Sequence, residues 1–312
     1  MAANENMYME VAQRLLPPPG DAWASAEPVP PSAAVNPARV SRGRARDAKP
    51  LTKKGAARRR RAATMVSRRK DKRHDLLSKR RSVSPLQPKE SATPREAPWT
   101  IEAIALAARG LADADQGKAL RCARWLRGQL SLERAPPAGE AVRAGVLPLL
   151  VGYLARSELP ELQLESAWAL ANIASTEHSS AVAAEPGALV YLVALLGGPQ
   201  PDLRYHSAWC LGNIAGDGPG LRDAVLRVGV LQPLLLNVQE PASVPLLRTA
   251  LWAMGNLCKG EPLPLLAQVL PATGVVSRVL LKGTDQADVL KDTCWVLVHL
   301  GRCGQGDGSA DG

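Results

Sequence analysis

The stretch HSAWCLGNIA (residues 206–215) recurs in related form three more times along the chain. The similar stretches are ESAWALANIA (165–174), RTALWAMGNLC (248–258) and KDTCWVLVHLG (291–301). Their tryptophans, Trp168, Trp209, Trp252 and Trp295, are 41, 43 and 43 residues apart. A period of that length is typical of stacked helical repeats, each of which buries its apolar face against its neighbours. The sequence therefore predicts an all-helical, elongated solenoid.

Glycines divide each repeat into shorter pieces. Each of four glycines precedes a short apolar run, and the tryptophan follows 21 to 23 residues later: Gly145, Gly187, Gly229 and Gly274. Glycine adopts the positive φ that a sharp turn after a short helix requires. This spacing of glycines indicates three helices per repeat. Armadillo repeats have three helices, whereas HEAT repeats have two. We expect a right-handed armadillo superhelix of about four to five units over residues 99–302.

Three of the tryptophans are followed four residues later by asparagine, at Asn172, Asn213 and Asn256. At 100° per residue, Trp168 and Asn172 share one face of their helix, and Leu170 and Ile173 lie on the opposite face. The same pattern holds around the next two tryptophans. We therefore predict that these Trp and Asn side chains point away from the core and line a surface, here called the Trp–Asn ladder.

Such a ladder is suited to an extended basic peptide. An asparagine amide both donates and accepts, so it can hold the unpaired backbone groups of an extended chain. Indole faces attract the stem and charge of Lys or Arg, with about 0.5–2 kcal/mol from each cation–π contact. Three acids lie beside the ladder residues in the sequence and are candidate anchors for a ligand ammonium: Asp217, Asp288 and Asp292.

The remaining third of the chain has a different composition. Residues 39–81 hold 19 Lys and Arg against three acids, a net charge of +16, whereas the whole chain carries +10 and the remainder therefore −6. We expect a disordered Pro/Ala-rich tail (1–38), a basic segment (39–90) and a disordered Gly-rich end (303–312). A basic tail of this kind can bind the acidic body of its own chain, an acidic partner or nucleic acid.

Several function classes are not indicated. The first residues lack a basic start followed by an adequate apolar run, and no apolar stretch is long enough to span a bilayer. The five cysteines form no CxxC pair. The sequence contains no nucleophile paired with His, no Gly-rich phosphate loop and no metal spacing. We expect a soluble, non-enzymatic protein with no cofactor and no metal.

The stretches ESAWALANIAS, AWCLGNIAGDGPGLRDAV and LWAMGNLCKG resemble the armadillo repeats of the importin-α (karyopherin-α) family over residues 116–300. A second resemblance lies in KKGAARRRRAATMVSRRKDKRHDLLSKRRSVS, which is similar to the importin-β-binding segment of that family. The resemblance implies a nuclear import adaptor whose ladder binds lysine-rich nuclear localisation signals. It also implies that the basic segment binds importin-β and, when free, occupies the cargo groove of its own chain.

The candidate residues fall into two groups. Those expected to bind cargo peptide are Trp168, Asn172, Ser180, Trp209, Asn213, Asp217, Trp252, Asn256, Asp288, Asp292 and Trp295. Those expected to bind importin-β and to mimic cargo are Arg58, Arg59, Arg60, Arg61, Lys79, Arg80 and Arg81. Within the first group, the resemblance assigns Ser180 the place of a pocket threonine, in a loop about one residue shorter than the family pattern.

The pattern departs from the family in other places. His299 stands at the fourth Asn position, and Arg127 matches the first-repeat position. The later repeats of the family do not follow residue 300, so we expect only its major cargo site. Two alternative functions stay open: a decoy that binds importins or cargo without transport, and a basic-tailed scaffold that binds nucleic acid. Cargo preference and oligomeric state are not fixed by any residue pattern, and an adaptor would occupy both cytoplasm and nucleus.

Overall fold

A computed structural model describes residues 99–132 and 136–304. These residues form helices joined by short turns, with no strand among them. The helices are α1 (Ile101–Leu111), α2 (Gln116–Leu130), α3 (Ala138–Arg143), α4 (Val146–Leu154), α5 (Pro160–Ala174), α6 (Ser179–Ala184), α7 (Ala188–Leu196), α8 (Pro201–Asp217), α9 (Pro219–Arg227), α10 (Leu231–Gln239), α11 (Val244–Leu257), α12 (Leu266–Val269), α13 (Pro271–Lys282) and α14 (Ala287–Cys303).

The helices form successive repeats. After the pair α1 and α2, four units of three helices follow: α3–α5, α6–α8, α9–α11 and α12–α14. The last helix of each unit packs on the last helix of the next, so that α2, α5, α8, α11 and α14 stack in chain order. We call these five the third helices. The predicted solenoid of three-helix repeats is confirmed.

Short-range chemistry explains where the helices begin and turn. Proline occupies the first helical position of α5, α8, α9 and α13, where its missing N–H costs nothing. Three of the predicted turn glycines have positive φ: 75° at Gly145, 80° at Gly187 and 80° at Gly229. The prediction for Gly274 is wrong. This glycine lies inside α13, because the fourth complete unit begins that helix at Pro271 instead.

The array ends one residue later than predicted. Helix α14 continues through Cys303, which is 3% exposed. The Cys303 thiol donates to the carbonyl oxygen of Cys258 at 3.4 Å, and this contact fixes the end of α14 against the end of α11.

Several predicted segments lie outside the described residues. They are the tail (1–38), the basic segment (39–90) with its two clusters Arg58 to Arg61 and Lys79 to Arg81, and residues 305–312. Within 99–132 and 136–304, no helix is long and apolar enough to cross a membrane.

Candidate functional site: a Trp–Asn ladder on stacked helices

The four ladder tryptophans differ in exposure. Trp168 and Trp209 are buried, at 5% and 1% exposed, and Trp252 and Trp295 are partly exposed. The prediction that the ladder points away from the core is therefore wrong for these two tryptophans, and it is also wrong for the three ladder asparagines, which are at most 1% exposed. The reason is that α8 is buried almost all round: Leu203 and every residue from Tyr205 to Ala215 are buried. A helix enclosed on all sides has no single core face, so a helical wheel does not identify its exposed side.

The indoles pack against small residues of the preceding third helix. A Cβ atom added to Gly212 would lie 2.4 Å from Trp252 Cζ3, and one added to Gly255 would lie 2.3 Å from Trp295 Cζ3. Carbon atoms do not approach so closely, so the backbone at these two positions accommodates the ring of the next repeat only because glycine has no side chain. Both glycines stand three residues after a ladder tryptophan, so one position of each repeat receives the indole of the next.

The ladder asparagines connect neighbouring third helices. Asn172, Asn213 and Asn256 are all at most 1% exposed. Their Nδ2 atoms donate to the preceding third helix or the residue that ends it: to Ser131 Oγ from Asn172 (3.0 Å), to the Ala171 carbonyl from Asn213 (3.2 Å) and to the Gly212 carbonyl from Asn256 (2.8 Å). An amide nitrogen carries two hydrogens, so each such bond uses one of two donors. The sequence identified these asparagines but did not predict their bonds within the solenoid.

Asp217 is exposed and is the last residue of α8. Its carboxylate accepts a hydrogen bond of 2.6 Å from the hydroxyl of Ser179, at the start of α6. Ser180, the residue of this loop that the resemblance places in the cargo pocket, is exposed. Consecutive residues of a helix project about 100° apart, so when Ser179 faces the carboxylate its neighbour does not. Ser179 was missed by the sequence analysis, although the shortened loop STEHSS already shows that the register there is shifted.

The acids near the last ladder tryptophan are paired within the chain. Arg248 of α11 contacts Asp288 at 3.0 Å and Asp292 at 3.2 Å, both on α14. At the other end, Arg127 of α2 contacts Glu165 of α5 at 2.8 Å. The two acids predicted to hold a ligand ammonium therefore already hold an arginine of the preceding third helix.

His206 is a further aromatic member of the site and was missed by the sequence analysis. Its imidazole stacks on Trp168 with 4.7 Å between ring centroids and 20° between planes. The side chain is fully buried, and this burial, with a smaller contribution from the Arg127 charge, lowers its pKa to about 3. His206 is therefore neutral at physiological pH. The sequence signal was its position three residues before Trp209, on the same helix face.

His299 stands at the fourth asparagine position and meets Trp295 edge-on, with 5.0 Å between centroids. Desolvation lowers its pKa, and the nearby charges of Arg302 and Lys259 lower it further. The Lys259 ammonium lies 5.5 Å from the Trp295 ring centroid. Trp295, the last tryptophan of the ladder, is thus in contact with a histidine and a lysine of this chain.

Family models match several parts of the chain. The Importin beta binding domain matches residues 48–116, and the Armadillo/beta-catenin-like repeat matches 135–175 and 218–259. A HEAT-like repeat model matches residues 160–214. Together the matches cover both the basic segment and the solenoid.

Solved structures show the same fold. A designed armadillo repeat protein in complex with the peptide (KR)4 superposes with a TM-score of 0.58 at 22% identity, covering 73% of this chain and 91% of that one. A second designed armadillo repeat protein gives a TM-score of 0.59 at 20% identity, covering the same shares. The fold and the repeated third helices define an armadillo-repeat protein, and proteins of this class are binding scaffolds without enzymatic activity.

Curated relatives specify the family. Importin subunit alpha-2 of Arabidopsis thaliana is 40% identical over 252 residues, which is 78% of this chain and 46% of that relative. Importin subunit alpha-1a of Oryza sativa subsp. japonica is 38% identical over 246 residues, again 78% and 46%. The chain is similar to importin α subunits, and it matches the models of both an importin-β-binding domain and armadillo repeats. It spans about half the length of the curated relatives it matches.

Proposed function

We propose that this chain is a nuclear import adaptor. Its Trp–Asn ladder binds the basic nuclear localisation signal of a cargo protein, and its basic segment (39–90) links the complex to importin-β. The observation that carries the proposal is the repetition of Asn172, Asn213 and Asn256 at one position of three consecutive third helices.

The spacing of the third helices suits an extended ligand. Packed helices lie about 8–10 Å apart, and an extended chain advances about 3.3 Å per residue. Each rung therefore meets two or three residues of the ligand. One amide hydrogen of each ladder asparagine is bonded inside the solenoid, and the Oδ1 atoms of Asn172 and Asn256 accept no hydrogen bond from the described residues. Both oxygens are buried, so a peptide backbone N–H would supply the missing donor only by displacing the groups that cover them.

Asp217 provides the charge that selects a cation. It is exposed, and the Ser179 hydroxyl at 2.6 Å holds one of its oxygens in place. A bound lysine ammonium would place its three donors on the carboxylate, the hydroxyl and nearby backbone carbonyls. The acids of the last rung contribute less, because Arg248 already occupies them.

The basic segment supports the link to importin-β. The importin-β-binding match of residues 48–116 contains both basic clusters, Arg58 to Arg61 and Lys79 to Arg81. In our proposal, Lys79, Arg80 and Arg81 also compete with cargo for the groove of their own chain. The net charge of +16 on residues 39–81, against −6 on the remainder, makes this competition sensitive to salt. An adaptor of this kind moves between cytoplasm and nucleus with its cargo.

The first experiment measures binding of a fluorescent lysine-rich localisation peptide at fixed salt to the full chain and to a chain lacking residues 1–98. We expect tighter binding after removal of the tail. The informative variant is Asp217→Asn, because this side chain is exposed and its loss does not disturb the core. Trp209→Ala would be a poor choice, since that indole is 1% exposed and its removal leaves a cavity.

Glu158→Gln is the matched control. This acid is exposed in the turn before α5, at the opposite end of the third helices from Asp217. We expect Asp217→Asn to weaken peptide binding about tenfold, as for the loss of a charge-assisted hydrogen bond, and Glu158→Gln to change it by less than about twofold. Equal effects of both variants, or no binding by either folded chain, would contradict the cargo proposal. Pull-down of importin-β by the full chain tests the other half separately.

A further inference from the structure

The position three residues before each ladder tryptophan holds four different side chains. They are Glu165, His206, Thr249 and Asp292. Residues three apart lie on the same face of a helix, so each of these side chains lies beside its tryptophan and faces the same side of the solenoid. In a groove that binds a basic peptide, acids and a small hydroxyl at this position leave room for a lysine stem beside the indole. An aromatic ring does not.

His206 lies within ring-contact distance of two successive ladder tryptophans. It stacks on Trp168 of the preceding repeat at 4.7 Å, and its centroid is 6.2 Å from that of Trp209 at 42°. Tyr205 meets the same imidazole edge-on at 5.1 Å. Neither ring nitrogen has a hydrogen-bond partner in the described part of the chain. The described ring contacts of this imidazole are thus with Trp168, Trp209 and Tyr205.

The other side of Trp168 is also covered. The guanidinium of Arg127 lies 4.3 Å from its ring centroid and is held there by Glu165 at 2.8 Å. Helix α2 precedes α5 in the stack and α8 follows it, so Arg127 and His206 approach the indole from opposite sides. A ligand cation can reach neither face of Trp168 while both side chains stay in place.

We propose that His206 is a specificity-determining residue of the ligand groove: it fills the slot between Trp168 and Trp209, so that a bound basic peptide presents a small side chain there instead of lysine. This inference rests on the proposed function and specifies which ligands the groove accepts. The residue acts through its bulk, because the buried imidazole is uncharged at neutral pH.

The test is a lysine-to-glycine scan of a lysine-rich localisation peptide, measured by competition against the full chain and its His206→Ala variant. In the unmodified chain, one lysine position should tolerate glycine with less than about a twofold change in affinity. In His206→Ala, glycine at that same position should weaken binding about 2-fold to 30-fold, which corresponds to one cation–π contact. His206→Ser serves as a second variant, and circular dichroism confirms that each is folded.

Thr249→Ala is the matched control, since it shortens the side chain at the same position of the next repeat. It should leave the tolerated position of the peptide unchanged. The proposal would be overturned if every lysine contributes alike in both proteins, or if folded His206→Ala weakens all peptides by the same factor. Failure of the adaptor proposal looks different: no peptide of the scan binds the unmodified chain, and Asp217→Asn changes nothing.

Discussion

At the scale of single residues, each ladder position combines a structural bond with a proposed ligand contact. Each ladder asparagine donates one amide hydrogen to the preceding third helix or to Ser131 just beyond it, at 2.8–3.2 Å. Gly212 and Gly255 make room for the indole of the next repeat. The side chains that would hold a peptide are thus fixed by the packing of the solenoid, which keeps them ordered before any ligand arrives.

Gly212→Ala tests the room left for the indole. The added Cβ would lie 2.4 Å from Trp252 Cζ3 and 3.0 Å from Ala253 Cβ, so the ring must move. We expect a loss of about 1–3 kcal/mol in the free energy of unfolding, as for other overpacked sites. Urea unfolding followed by circular dichroism measures this loss.

The control is Gly128→Ala, at the corresponding position of α2. A Cβ atom there meets nothing within 4 Å. Alanine in an open helical position is more favourable than glycine by about 0.5–1 kcal/mol, so this variant should be slightly more stable than the parent. The two Gly→Ala substitutions should therefore change the free energy of unfolding in opposite directions. A similar loss of stability in both would show that the contact with Trp252 is not the cause of the loss.

His206 should make stability depend on pH. Its pKa is about 6.5 in an unfolded chain and about 3 in the fold. Between these values the unfolded state binds more protons, so stability is full above pH 6.5 and falls as the pH decreases towards 3. Going from pH 8 to pH 5.5, His206→Gln should lose less stability than the parent by an amount on the order of 1 kcal/mol. Parallel curves for the two proteins would show that His206 is not buried in the neutral form.

At the scale of elements, the sequence predicted the positions of the helices better than it predicted which helix faces are buried. The 41- to 43-residue spacing and the glycines at 145, 187 and 229 were sufficient to predict about four to five units of three helices. The wheel analysis failed for α8 because this helix is enclosed by neighbours on every side. The contacts of Gly212, Asn213 and His206 join residues about 40 positions apart, and no pattern within one helix reveals which residue of the next repeat they meet.

The pair of helices α11 and α14 carries an ion-pair cluster beside the proposed ligand groove. Arg248 contacts Asp288 and Asp292, and its own side chain is 33% exposed. Arg248→Gln removes a positive charge from the groove and releases two carboxylates. If the groove binds basic peptides, affinity should rise about twofold to fivefold, and stability should fall by less than about 1 kcal/mol.

Fluorescence titration of a lysine-rich peptide measures that change in affinity. Arg302→Gln is the matched control: it removes the same charge from α14 and breaks a looser contact of 3.5 Å with Glu261. Should both variants raise the affinity equally, net charge alone would explain the effect.

At the scale of the whole molecule, the described repeats end in an apolar surface on α13 and α14. Leu281 is 83% exposed and Val298 is 63% exposed. In a solenoid each unit is stabilised by its neighbours, so a face of this kind lowers stability at the end and favours association. We expect Leu281→Lys with Val298→Lys to abolish concentration-dependent association of the chain.

Sedimentation velocity over a hundredfold range of concentration measures that association. The double variant should keep the unfolding free energy of the parent within about 0.5 kcal/mol, since neither side chain is buried. Leu265→Lys, which changes a single leucine that is 71% exposed before α12, should leave association unchanged. A parent chain that stays monomeric throughout the range would contradict the prediction.

The side-chain hydrogen bonds of Asn172, Asn213 and Asn256 run from one third helix to the preceding one or to the residue that ends it. They therefore resist separation of adjacent repeats along the solenoid axis. Pulling the two ends of the solenoid apart must lengthen these hydrogen bonds. In the proposed function a ligand bonds to the same side-chain amides and spans several repeats, so it makes the solenoid stiffer. Tension along the solenoid then lowers its affinity for the ligand. A stretched molecule releases its ligand sooner than a relaxed one.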